Sequence, residues 1–251
     1  MFFSLLLILQ AAPAPASPPP GQEPPRFAEC MDLATGDPGA GQANASRWSM
    51  EGGGMLARQC LGVAYANQRR WDSAAAAFEE AAREGELNRD RRAANYWAQA
   101  GNAWLAAGNA AKARAALDAA LAAGTLEGLA LGEVHLDRAR AMVAANDLDA
   151  ARADLDRATQ SAPADPLTWL LSATLARRQN DAALARKHID EALRRSPDDA
   201  SVQLEAGNIA AAAADEAGAR TAWNRAIELA PGSPTAESAR KALAQFGATE
   251  K

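Results

Sequence analysis

Large side chains are scarce in this chain of 251 residues. Aromatic residues make up only 5% of it, and alanine alone accounts for 68 residues within an apolar fraction of 49%. A β-sandwich or barrel needs far more Val, Ile, Thr, Tyr and Phe, so both are excluded. Basic charge is scarce as well. Lys and Arg total 26 against 31 acids, the net charge is −5, and no basic block stands out beyond Arg89, Arg91 and Arg92. Binding to nucleic acid through phosphate neutralisation is excluded on that ground. Two histidines and two cysteines are present. Two cysteines with no neighbouring His give no zinc set, and no metal or other cofactor is expected. Catalysis by a nucleophile needs Ser or Cys beside a His and an orienting acid, and no spacing here suggests that set. The acidic pairs Glu79–Glu80, Asp198–Asp199 and Asp215–Glu216 read as solvated faces. His135 and His188 read as packing or surface residues.

One long apolar run is present, FFSLLLILQAA over residues 2–12. It falls short of the roughly 20 residues that a spanning helix needs. With small residues at Ala14–Pro15–Ala16 behind it, the run reads as the apolar part of a secretory signal at residues 1–16. No Lys or Arg precedes it. Cys30 lies too far downstream to be a lipid-modified cysteine. Seven of the thirteen prolines fall between Pro13 and Pro25, so residues 17–25 read as an extended linker. Arg outnumbers Lys 22 to 4, a bias that, with the abundant Ala, Gly and Pro, suggests a GC-rich bacterial genome. The expected location is therefore outside the cytoplasm, in the periplasm. In that compartment an even cysteine count favours a Cys30–Cys60 disulfide. The alternative is two small residues buried at helix contacts.

What the sequence has in excess is helix former and self-similarity. Alanine has the strongest intrinsic helix propensity and lets helices pack closely. Pro163, Pro197 and Pro231 are spaced by 34 and 34 residues, and Ala151, Ala185 and Ala219 repeat the spacing. Leu155, Ile189 and Trp223 follow in phase, then Ala158, Ala192 and Ala226. Upstream, Ala113, Leu117 and Ala120 form one further set, and Ala74, Phe78 and Ala81 another. Small residues alternate with aromatics in the first half of each unit: Gly62 with Tyr65, Trp97 with Gly101 and Trp104, Trp169 with Ala173, and Gly207. A small residue lets one helix cross another closely, a larger one fills the gap beside it, and Pro stops the second helix.

LGVAY (61–65), AAAAF (74–78) and WAQAGNAW (97–104) resemble the tetratricopeptide repeat family, a 34-residue helix–turn–helix. His135, Ala139 and Met142 replace its Trp, Gly and Tyr in the third unit. The resemblance implies an all-α, right-handed solenoid of antiparallel helix pairs. Five units are expected over residues 55–233, at 55–88, 94–127, 132–165, 166–199 and 200–233. An irregular helical hairpin is expected at 26–54, and a capping helix with a tail at 234–251. Gly52–Gly53–Gly54 makes a turn, since no Lys-Ser/Thr follows to form a phosphate loop.

The resemblance also places a binding groove on the first helices. It implies Asn67, Asn102, Leu105, Arg140, Leu170, Arg177, Arg178 and Asn208 as groove residues, with Val63, Val143, Thr174 and Leu204 beside them. The Asn groups can bond a peptide backbone, and the Arg forks suit carboxylates. The implied partner is a protein or peptide with acidic groups or a free C-terminus. Asn102 and Asn208 are similar to the Asn with which some members clamp a terminal carboxylate, but Ala98 and Leu204 stand where those members place lysine. The expected function is a non-enzymatic scaffold with no membrane span after signal cleavage. A self-associating envelope component and an accessory domain of an enzyme are the alternatives.

Overall fold

The computed structural model describes residues 24–248, in which short turns join thirteen helices. In order these are α1 (Pro25–Gly36), α2 (Pro38–Met50), α3 (Gly54–Asn67), α4 (Trp71–Leu87), α5 (Ala93–Ala106), α6 (Ala110–Ala122) and α7 (Gly128–Ala144). Then follow α8 (Leu148–Ser161), α9 (Pro166–Arg178), α10 (Ala182–Arg195), α11 (Ala200–Ala212), α12 (Glu216–Leu229) and α13 (Pro234–Ala248). The expected secretory signal, and the proline-rich linker as far as residue 23, lie outside the described residues. The all-α solenoid of paired helices expected from the repeat is the observed architecture.

Each first helix packs on its own second helix, and each second helix packs on the next first helix. First helices also touch one another: α5 meets α7, α7 meets α9, α9 meets α11, and α11 meets α13. The stack therefore closes up on the first-helix side, which becomes its inner face. The small-residue column makes the pairing tight. A Cβ added to Gly62 would stand 2.5 Å from Phe78, one on Gly101 2.5 Å from Leu117, and one on Gly207 2.4 Å from Trp223. No side chain fits at those positions. Ala139 packs in the same cluster as Leu155, and Ala173 in the same cluster as Ile189.

The turns repeat too. Arg69, Gly108, Asn146, Asn180 and Ala214, each just past a first helix, have φ of 58°, 75°, 61°, 60° and 58°. Asn109, Asp147, Asp181 and Asp215 come next, and each accepts a hydrogen bond from the backbone N–H three residues on. These are N-caps of the second helices, a column the sequence reading overlooked. Ala162, Ser196 and Ala230 close α8, α10 and α12 outside the helical region (φ −126°, −141° and −144°, ψ 59°, 69° and 65°), in keeping with the proline that follows each, which disfavours helical backbone before it.

The helical hairpin α1–α2 rests on α3. Cys30 and Cys60 are both fully buried, with their sulfurs 1.98 Å apart, so a disulfide joins α1 to α3. Asn67 Nδ2 donates to Ala34 O at 3.0 Å, and Gln68 Nε2 to Pro38 O at 2.9 Å. At the other end α13 lays Phe246 edge-on against Trp223, with ring centroids 5.4 Å apart. No helix among the described residues is long and apolar enough to cross a membrane.

Candidate binding face of the solenoid

The inner face positions the groove residues implied by the sequence, but it has already engaged most of them. Arg177 on α9 donates from Nε and Nη2 to the two carboxylate oxygens of Glu205 on α11, at 2.7 and 3.2 Å. Asn208 Nδ2 donates to the same carboxylate at 3.1 Å, and Asn208 Oδ1 accepts from Trp223 Nε1 at 3.1 Å. Asn102 Nδ2 donates to Asp137 Oδ2 at 2.7 Å, and Arg140 Nη1 to Asp137 Oδ1 at 2.9 Å. Asn67 is spent on the N-terminal hairpin. Leu105 is half-buried against the core around Trp104. Leu170 is 9% exposed and belongs to the core with Ala173 and Ile189, which removes it from the groove. Asn102 and Arg177 satisfy their polar groups across the seam where first helices touch, whereas Arg140 and Asn208 pair with acids three residues away on their own helices. Arg178 is exposed and has no ion pair among the described residues. With Arg140, Val143 and Thr174 it rims a small cavity of about 160 Å³ floored by Leu155, Leu171 and Leu175.

The larger opening lies further toward the N-terminus. A trough of about 720 Å³ runs over α3, α5 and α7, lined by Gln59, Asn95, Gln99, Asn102, Glu133 and Asp137, with Phe78 and Ala103 among its apolar neighbours. It continues into a second depression of about 610 Å³, which shares Asn102, Glu133 and Asp137 and adds Leu129, Asp165 and Leu167. Burial raises the pKa of Glu133, and the nearby charges of Asp137 and Asp165 raise it further. Burial also raises that of Asp137, and the Arg140 pair only partly offsets it. Of the implied residues, only Asn102 and Arg140 line these openings. Asn95, Gln99, Glu133 and Asp137 were missed. Their signal was helical spacing alone: Asn95, Gln99 and Asn102 fall on one face of α5, and Glu133, Asp137 and Arg140 on one face of α7.

The tetratricopeptide repeat family model matches residues 61–127 and 170–234, just over half of the chain. The chain belongs to the tetratricopeptide repeat family. Solved structures share the repeat architecture at low identity. PilW, a widely conserved type IV pilus biogenesis factor, is 18% identical, with a TM-score of 0.70 over 85% of this chain and 96% of that one. PilF of Pseudomonas aeruginosa is 15% identical, with a TM-score of 0.68 over 86% and 97%. YrrB, a tetratricopeptide repeat protein with an unusual peptide-binding site, is 18% identical, with a TM-score of 0.56 over 78% and 96%. These likenesses concern the fold. No curated protein matches the sequence.

Two buried polar networks hold this tetratricopeptide stack together. Asp154 on α8, 1% exposed, receives Arg138 Nε at 2.8 Å and Nη2 at 2.6 Å, and lies 3.0 Å from His135 Nδ1. Burial opposes its ionisation, yet the bonds from His135 and Arg138 outweigh burial and lower its pKa. In the next repeat Ser172 Oγ lies 2.7 Å from His188 Nδ1, the contact that a nucleophile and a base would make. Ser172 is fully buried, and Arg152 donates to its hydroxyl at 2.6 Å and to its carbonyl at 2.8 Å. No reacting group can reach that oxygen. Ser172 Oγ accepts from Arg152 and has one proton of its own, which a neutral His188 ring can accept at Nδ1. Burial lowers the His188 pKa, and the positive charges of Arg152 and Lys187 lower it further.

Proposed function

We propose that the chain is a non-catalytic scaffold in the periplasm that holds a peptide or protein segment in the trough over α3, α5 and α7. The observation that carries this reading is the trough itself. It is open, long, and lined by amide groups that can pair with a backbone in either direction. The buried Ser172–His188 pair offers no route for a substrate, which favours binding over chemistry. Export is supported by the apolar run at residues 2–12 and by the Cys30–Cys60 bond, which suits an oxidising compartment.

Selection of displayed random peptides on the full chain tests the reading. The comparison is a blocked variant, Asn95→Trp/Ala106→Trp, whose two positions are exposed and line the trough. Equal helix content by circular dichroism establishes that the variant folds. Peptides retained by the wild type and lost by the variant are expected. Peptides bound equally by both would move binding away from the trough and overturn the assignment.

A further inference from the structure

We infer that the occupant of this trough is a cationic segment, bringing Lys or Arg side chains to Glu133 and Asp165 and apolar side chains to Leu129 and Leu167. This rests on the reading of the trough as the binding face, and it reverses the charge of the partner implied by the arginines. The cations that line the openings are already paired within the chain. Arg92 grips Asp90 at 2.7 Å and Arg140 grips Asp137 at 2.9 Å. Glu133 has no cation among the described residues, and the charges that bear on it are those of Asp137 and Asp165. Asp165 spends its oxygens on Leu167 N–H at 3.0 Å and the Thr168 hydroxyl at 2.9 Å, both neutral donors, and has no ion pair among the described residues. Arg178, which has no ion pair among the described residues, lies instead at the small cavity between α7 and α9.

One observation independent of the carboxylates supports an occupant here. Leu129 and Leu167 are 58% and 46% exposed and line the same depression as Glu133 and Asp165. Exposed apolar groups beside polar ones mark interaction sites. Among the described residues no three carboxylate, His or Cys groups stand close enough to hold a metal ion. Acids spread over α7 and the start of α9 match side chains spaced along a peptide better than one compact ion. The net charge of −5 adds long-range attraction for the same partner.

The displayed-peptide selection gives the test. Among peptides that need an open trough, Lys and Arg should exceed Asp and Glu relative to the unselected library. A synthetic copy of the most enriched sequence, measured by fluorescence anisotropy, should bind the Glu133→Gln variant about fivefold more weakly, the scale of one partly screened ion pair. It should bind Glu29→Gln, altered at an exposed site on α1, as it binds the wild type. Affinity should also fall as salt rises. Glu133 is exposed, so its loss should leave the fold intact, and thermal melting checks this. Trough-dependent peptides that are neutral or acidic, or a Glu133→Gln variant that keeps full affinity, would overturn the inference while the binding face stands. Peptides indifferent to the blocked trough would overturn both.

Discussion

Arg177 of α9 and Glu205 of α11 form a two-point pair across a repeat boundary, with N–O distances of 2.7 and 3.2 Å. Glu205 is 6% exposed, and Arg177 is the cation paired with it. Truncating Arg177 to Ala should cost about 1–3 kcal/mol. That is the scale of leaving a buried charge unpaired, reduced because the Arg177 side chain is 31% exposed. Chemical denaturation should give the loss. Hydrogen exchange should show it concentrated in α11 to α13, since each repeat is stabilised through its neighbours. A uniform loss over the chain would contradict this placement.

Reducing the Cys30–Cys60 disulfide should release the hairpin α1–α2 before the rest. Opening a loop with a sequence separation of 30 removes roughly 3–4 kcal/mol in the chain-entropy account. Protection of α1 and α2 amides should collapse under reductant, while α7 to α12 stay protected. Equal protection with and without reductant would show that the hairpin is held by packing alone.

Acidification should weaken the α9–α10 repeat. The folded His188 binds a proton less readily than the unfolded chain does. As pH falls below the ordinary histidine value of about 6.5, the unfolded state therefore takes up the proton first and stability drops. The stability that His188 contributes is fully present above that value. A His188→Gln variant should show a shallower fall in melting temperature between about pH 7.5 and pH 5.5. Parallel slopes for the two proteins would rule out His188 as the cause.

Ala214 occupies the left-handed region at φ 58°, a position that Gly108 fills in the second unit at φ 75°. A Cβ there is strained, so Ala214→Gly should stabilise the fifth unit by up to about 1 kcal/mol after the entropy cost of glycine. Gly108→Ala should destabilise the second unit by a similar amount. Both changes are read from denaturation midpoints, and opposite signs are the decisive result.

The sequence by itself determined the helix pairs. Alanine propensity, the small-residue column of Gly62, Gly101 and Gly207, and the prolines at 163, 197 and 231 act within one pair of helices, and their spacing is visible in the chain. The capping column at Asn109, Asp147, Asp181 and Asp215 was equally local, and could have been read from its position just before each second helix. The tertiary structure decided what the inner face offers. Asn102 reaches Asp137, 35 residues away, and Arg177 reaches Glu205, 28 away. Whether such a side chain greets a partner or a neighbouring repeat depends on how closely successive first helices stack, which no local spacing records. Stacking spent Asn102 and Arg177 on acids of the next repeat, buried Leu170, and left Glu133 facing other carboxylates, while Arg140 pairs with Asp137 on its own helix. The sign of the charge presented to a partner therefore comes from the fold, although every residue that carries it was in the sequence.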